Sequence, residues 1–284
     1  MRNNEDRLGS VYKHDSAPPQ AFTSPQQTQQ GAALNFVVPT EFVDLPSKGR
    51  FYPKDHPLYG KETLEVKQMT AKEEDILTSK SLIKKGVVLD RLLESIILDK
   101  SIKVDDLLVA DKNAIVVAAR IGGYGPEYET NVTCPSCEAK NKHVFDLLEE
   151  IEREEDEKET VQLSDSGTFN VQLPKTGWTV ELRALNSKDE KSILRSMESK
   201  GKNEKEATLS DQIKRMIVSI NTIVDESVID QAVASLPALD SRYLRKQYFL
   251  QVPQVDLKKT FSCTKCDYEG VLEVPITADF FWPK

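Results

Sequence analysis

From residue 36 onward, apolar and polar positions follow either a period of two or the helical period, and the switches between them divide the chain into elements. Phe36-Val-Val-Pro-Thr-Glu-Phe-Val-Asp-Leu45 reads as extended, Pro46-Ser-Lys-Gly49 supplies turn chemistry before Arg50-Phe-Tyr-Pro53, and Leu64-Glu-Val-Lys67 alternates like a half-buried strand. Thr70 and Glu73 form a T-x-x-E capping box that starts a helix. Leu89, Leu92, Leu93, Ile96 and Ile97 fall at i, i+3, i+4, i+7 and i+8, an amphipathic stripe expected in the core. Asp111 is the expected N-cap of a third helix running to about Ile121, with Gly122-Gly123 as its stop. Strand-like runs follow at Tyr128–Thr133, His143–Phe145, Phe169–Leu173 and Trp178–Leu182. A helix is expected near Ser187 with Glu190 in capping-box register. Its stripe continues through Ile213, Met216, Ile217 and Ile220, and a restart at Asp240 precedes Tyr243 and Leu244. The last strand-like runs are Leu257–Ser262 and Gly270–Val274.

Laid on itself, the chain repeats. Glu65-Val-Lys-Gln-Met-Thr-Ala-Lys-Glu-Glu74 resembles Glu181-Leu-Arg-Ala-Leu-Asn-Ser-Lys-Asp-Glu190 at an offset of 116; Leu89, Leu93, Ile96 and Ile97 fall on Leu209, Ile213, Met216 and Ile217 at 120. Leu107, Asp111 and Ile115 fall on Leu236, Asp240 and Leu244 at 129. An offset that grows through loops while element order is kept predicts a tandem duplication. The expected fold is therefore α+β, two strand-helices-strand units, with a first repeat over 36–148 and a second over 161–284. Between them, 149–160 is an acidic linker within a charge run that starts near Leu147, and residues 1–35, rich in Gln, Pro, Ser and Ala, read as a disordered tail. Lys200–Glu206 reads as a surface loop.

Composition narrows the class. The chain has 284 residues, 39% hydrophobic and 30% charged, with a net charge of −8. That is enough to bury a core. The longest apolar run, Ala114–Ala119, is far too short to span a membrane, and the start shows no secretory signal. The negative charge gives no general attraction to nucleic acid, and no basic patch stands out.

The chemistry lies in the cysteines. The chain has four, in Cys134-Pro-Ser-Cys137 and Cys263-Thr-Lys-Cys266, and the two motifs also match at an offset of 129. Two CxxC knuckles, each between strand-like segments, can complete a tetrahedral four-sulfur site of the kind zinc takes structurally. The layout is a zinc ribbon split by the 125 residues between Cys137 and Cys263, and the expected zinc clasps the two repeats. A thiol-disulfide role and uncommitted thiols remain as rivals, although redox CxxC sites sit at helix starts. His143, near the first knuckle, is a competing ligand; His14 lies in the tail and His56 in a proline-rich turn. No phosphate loop, nucleophile elbow or H-E-x-x-H helix occurs, so no catalytic residue, small-molecule cofactor or small-molecule substrate is expected.

Four features together carry a resemblance: Val43-Asp-Leu-Pro-Ser-Lys-Gly-Arg-Phe-Tyr-Pro53, the pattern Leu108, Asp111, Arg120, Tyr124, Gly125, the knuckle Val132-Thr-Cys-Pro-Ser-Cys137, and the terminal Asp279-Phe-Phe-Trp-Pro283. From about residue 36 to the end the sequence resembles the baseplate hub assembly proteins of T-even-like contractile-tailed bacteriophages. The resemblance implies a non-enzymatic structural or assembly protein whose partners are other baseplate or tail hub proteins, with no membrane or nucleic acid expected. It implies a place in the host cytoplasm during assembly and in the virion tail baseplate. A zinc-ribbon component of nucleic-acid machinery is the alternative, and a CxxC oxidoreductase the third reading. Two segments are expected to bind partners if they do not pack on their own chain: Phe36–Tyr52 and Phe280-Phe281-Trp282.

Overall fold

Alternation at the start of the first half folds Thr40–Asp44 (β1) against Thr63–Lys67 (β2) as an antiparallel pair, with Val43, Leu64 and Val66 turned inward. The computed structural model describes residues 38–149, 161–199, 209–276 and 278–281. The tail 1–35, Phe36, the acidic segment from 150 to 160, the loop 200–206 and Trp282 lie outside them. The turn after β1 needs glycine: Gly49 has a φ of +68°, and a Cβ there would stand 2.4 Å from the Leu58 carbonyl oxygen.

The first half continues with helices Ala71–Thr78 (α1), Lys80–Lys84 (α2), Val88–Ile96 (α3) and Val109–Tyr124 (α4), and ends in an antiparallel hairpin, Glu127–Thr133 (β3) with Lys140–Asp146 (β4). The Thr70/Glu73 capping box is formed, and Leu92, Leu93, Ile96 and Ile97 are buried as their spacing predicts. Asp111 is not a cap. The helix starts two residues earlier, and the Asp111 carboxylate is fully buried, accepting from Ser47 N and Oγ at 3.0 and 2.7 Å and from Tyr52 Oη at 2.8 Å. Burial, and then the charge of Asp111, raises the Tyr52 pKa, which keeps the hydroxyl a donor. Nor do Gly122 and Gly123 stop the helix. They let its last turn pass close to Glu41 and Met69, and Gly125, at φ +82°, ends it.

The second half opens with a three-stranded antiparallel sheet of Thr168–Gln172 (β5), Thr179–Arg183 (β6) and Ile217–Ile220 (β7), with Ser187–Ser199 (α5) and Leu209–Met216 (α6) between its last two strands. The expected helical stripe through Ile220 is thus cut at Met216, because the β-branched run Ile217-Val218 finds a free edge on β6. The capping box sits one residue earlier than expected: Asn186 and Asp189 exchange backbone-to-side-chain bonds of 3.1 and 3.0 Å. Ser187 is unavailable, since it is buried and its hydroxyl donates to Leu107 O at 3.2 Å; Glu190 pairs with Lys112 instead. Helix Glu226–Ala234 (α7), capped by Asp225, has no counterpart among the elements expected from the sequence pattern. Helix Ala238–Gln251 (α8) then leads to a second hairpin, Lys258–Ser262 (β8) with Glu269–Glu273 (β9), and a terminal 3₁₀ turn, Ala278–Phe281.

One contiguous apolar core runs through both halves of this mixed helix and sheet fold. Phe51 meets Phe169 edge-on at 6.3 Å, and Leu107 to Val109 trade backbone bonds with Leu185 to Ser187. Phe280 and Phe281 close the core rather than leave it: both are buried, with Phe280 edge-on to Tyr128 at 4.9 Å. Most of the other expected docking segment also packs on its own chain, with Phe51 and Tyr52 buried; Phe42 stays 70% exposed.

Candidate metal centre

Each CxxC motif forms the tip of a hairpin. The last ladder pairs are Thr133↔Lys140 in the first and Ser262↔Glu269 in the second, so each tip is six residues long and starts with a cysteine. The tips close in the same way: Cys134 N–H donates to Ala139 O, and Cys263 N–H to Tyr268 O, both at 2.9 Å. In the first, Glu138 takes a positive φ of 57° to complete the turn.

The two tips face each other. Cys134 Sγ lies 3.8 Å from Cys266 Sγ, Cys137 Sγ lies 3.8 Å from Cys263 Sγ, and all four sulfurs fall within 4.8 Å of one another. These are free thiols, much too far apart for a disulfide's roughly 2 Å bond. Four sulfurs placed tetrahedrally at about 2.3 Å from one ion would be about 3.8 Å apart, so the spacing fits a metal of zinc's preference. Neither motif begins a helix, so the dipole that activates redox CxxC sites is missing here.

The cluster also carries an electrostatic conflict. At Cys263 burial acts to raise the pKa, but the N–H groups of Lys265 and Cys266 outweigh it and hold the thiol at about 6. At Cys266 the N–H of Tyr268 acts to lower the pKa, yet burial and the neighbouring sulfurs override it and push the thiol up to about 12. Once one sulfur is ionised the next resists ionisation, and a divalent cation is what removes that resistance.

A side chain without any motif signal supports the site. Asn141, on β4, is 3% exposed; its Oδ1 accepts from Thr264 N and Oγ1 at 2.9 and 2.7 Å, while its Nδ2 donates to Ala139 O at 2.9 Å and approaches Cys263 Sγ at 3.5 Å. It therefore bolts one knuckle to the other. His143, the competing ligand, is used otherwise. Its Nε2 lies 3.1 Å from Thr260 O and its ring meets Phe145 and Phe261 edge-on, so it ties the hairpins together below the sulfurs. His56 is stacked on Tyr52 at 4.3 Å and accepts from Leu58 N; His14 lies outside the described residues. Glu149 adds a third tie, accepting from Thr260 Oγ1 at 2.8 Å.

Among the described residues no helix is long and apolar enough to cross a membrane. No match was found among curated proteins or among solved structures. The family described as T4 bacteriophage base plate protein does match, over residues 39–282, a span that takes in both hairpins and nearly all of the buried core. With most of its length accounted for in this way, the chain belongs to the T4 bacteriophage base plate protein family.

Proposed function

We propose that this protein is a non-enzymatic structural or assembly component of the phage baseplate hub, made of two tandem units clasped by one structural zinc on Cys134, Cys137, Cys263 and Cys266. The observation that carries this reading is the convergence of the two hairpin tips on four sulfurs that all lie within 4.8 Å of one another. Sulfur would take all four positions of such an ion, leaving none for a water or substrate, so the metal holds the protein together rather than reacting. The protein acts in the host cytoplasm during assembly and in the tail, and its partners are other baseplate or hub proteins.

Details beyond the cysteines support the duplication. Leu45-Pro-Ser-Lys-Gly49 has a counterpart in Leu173-Pro-Lys-Thr-Gly177, with Gly49 at φ +68° and Gly177 at +69°. Each turn is held by a buried aspartate from the long helix of its own unit: Asp111 takes Ser47, and Asp240 takes the N–H groups of Lys175 and Thr176, both at 2.9 Å. The ion pair Lys67–Glu73 likewise has its equivalent in Arg183–Asp189. Three such matches, beside the cysteines, support descent from one ancestral unit, taken as 36–148 and 161–284.

Metal analysis and assembly test the two parts separately. Protein purified without chelators is expected to carry about one zinc per chain, and metal-free protein with four reactive thiols would sink the clasp. In cells infected by phage lacking this gene, a tagged copy should restore hub assembly and sediment with baseplate intermediates; normal intermediates without it would sink the assembly role. For the metal's surroundings, Asn141→Ala is expected to weaken metal retention about 10- to 100-fold in a chelator competition, because it frees Thr264 and Cys263 from their common support. Unchanged retention would make Asn141 a packing residue only.

A further inference from the structure

Helix α8 has two contrasting faces. Asp240, Leu244 and Tyr248, one turn apart, are buried in the core. At about 100° per residue, Leu239, Arg242, Tyr243, Lys246 and Phe249 gather on one third of the circumference. All five are exposed, Leu239 at 59% and Phe249 at 57%. Neither the Arg242 nor the Lys246 side chain has a hydrogen-bond or ion-pair partner among the described residues. The one carboxylate of the helix, Asp240, is committed to Lys175 and Thr176. In the corresponding helix of the first unit, α4, the matching positions Asn113, Ala114, Val117 and Arg120 are buried or half-buried, with Arg120 bonded to Phe280 O at 2.9 Å. The fold covers this face in one unit and leaves it bare in the other.

Phe249 also borders a groove of about 240 Å³, walled by Leu108, Leu185, Met216 and Val252 from both units. The groove lining holds one carboxylate, Glu273 on β9, and no cation; Lys246 and Arg242 stand outside it, about one and two turns back along α8 from Phe249. Tyrosine, phenylalanine and arginine in one patch have the composition of an interface hot spot, whose energy comes from burying rings and guanidinium planes at small entropic cost.

We infer that this face and its groove bind an acidic, amphipathic segment of another baseplate protein, which places an apolar side chain in the groove and its carboxylates on Arg242 and Lys246. The inference rests on the baseplate reading and names the surface and the chemistry of the partner. Two exposed cations with no carboxylate partner among the described residues make an acidic segment the charge-complementary occupant of this face. A nucleic acid is a poorer match. Tight phosphate-backbone binding commonly uses about six to ten cationic contacts, and the face offers two beside three large apolar side chains.

The test uses the full-length, metal-loaded protein with a photo-crosslinking phenylalanine analogue at position 243, supplied in trans to phage lacking this gene. Irradiation of infected cells is expected to give an adduct with a different tail protein, at a peptide rich in Asp and Glu. Arg242→Glu combined with Lys246→Glu should lower its yield about 10-fold or more, and Phe249→Ala about 30-fold, while metal content and Tm stay at wild-type values. An adduct with a second copy of this chain, an adduct with nucleic acid, or no adduct in cells where the tagged chain still sediments with baseplates would overturn the inference. Absence of the chain from baseplate intermediates would sink the functional reading first and this inference with it.

Discussion

Cys263→Ser is expected to release the metal and to loosen both halves of the molecule, although the substitution lies in the second. A two-stranded hairpin is marginal by itself in water, and each knuckle tops such a hairpin. What keeps the β3–β4 tip in place is its opposite number, through the sulfurs, Asn141 and the His143–Thr260 contact. Structural zinc contributes about 10–16 kcal/mol in isolated fingers, which equals or exceeds the net stability of a typical domain, about 5–15 kcal/mol. Part of that must be offset by ordering the tips, so a loss of about 5 kcal/mol or more is the expected size. For a chain of this length that corresponds to a fall in Tm of about 10–20 °C. Calorimetry with metal analysis checks the size, and amide exchange checks the place: protection should drop on 127–146 as well as on 258–273. A chelator that removes all metal and leaves Tm and both hairpins unchanged would end the clasp idea. Acid should act in the same direction, since the ligands must be thiolates and protons compete for them.

The parts of this fold that were legible in the sequence are those where one physical requirement fixes the residue type. Metal coordination needs sulfur at a fixed spacing, so the four cysteines could be grouped before any geometry was known. Helix burial needs a stripe, and Leu92, Leu93 and Ile96 lie where the stripe put them. The misreadings came where one residue type serves two purposes. Aspartate caps helices but also accepts hydrogen bonds from distant turns, and Asp111 does the second because Ser47 and Tyr52 reach it from some sixty positions earlier in the chain. Glycine stops helices but is also tolerated inside them: Gly122 and Gly123 lie within α4, beside the side chains of Glu41 and Met69, and it is Gly125, at φ +82°, that ends the helix. Ile217 and Ile220 fit a helical stripe and a strand equally well, and the open edge of β6 decided between them. Asn141 could not have been found at all. Its role depends on Thr264, which reaches it only after both hairpins have formed.

Deleting residues 279–284 is expected to unfold the protein rather than merely to silence it in assembly. From the sequence alone, Phe280-Phe281-Trp282 is a candidate surface for a partner, and on that reading the deletion leaves folding and metal content intact. The burial of Phe280 and Phe281 reverses that expectation. Phe280 and Phe281 are at most 1% exposed, and removing a buried phenylalanine side chain costs about 3–5 kcal/mol each. The loss spreads to Arg120, itself 1% exposed, whose guanidinium donates to Phe280 O, Gly125 O and Glu127 O at 2.9, 2.8 and 2.8 Å. Without Phe280 the buried cation keeps two carbonyls and loses both the third and the apolar cover over Tyr128, a further penalty of a few kcal/mol. Together these approach the whole stability of an ordinary domain. The truncated chain should be insoluble, or soluble with a broad, low thermal transition and rapid proteolysis. Phe280→Leu, which keeps the backbone carbonyl and most of the volume, should recover most of the Tm. A truncated protein with wild-type Tm that fails only in baseplate assembly would return the C-terminus to the list of docking surfaces and would mean that Arg120 is satisfied without it.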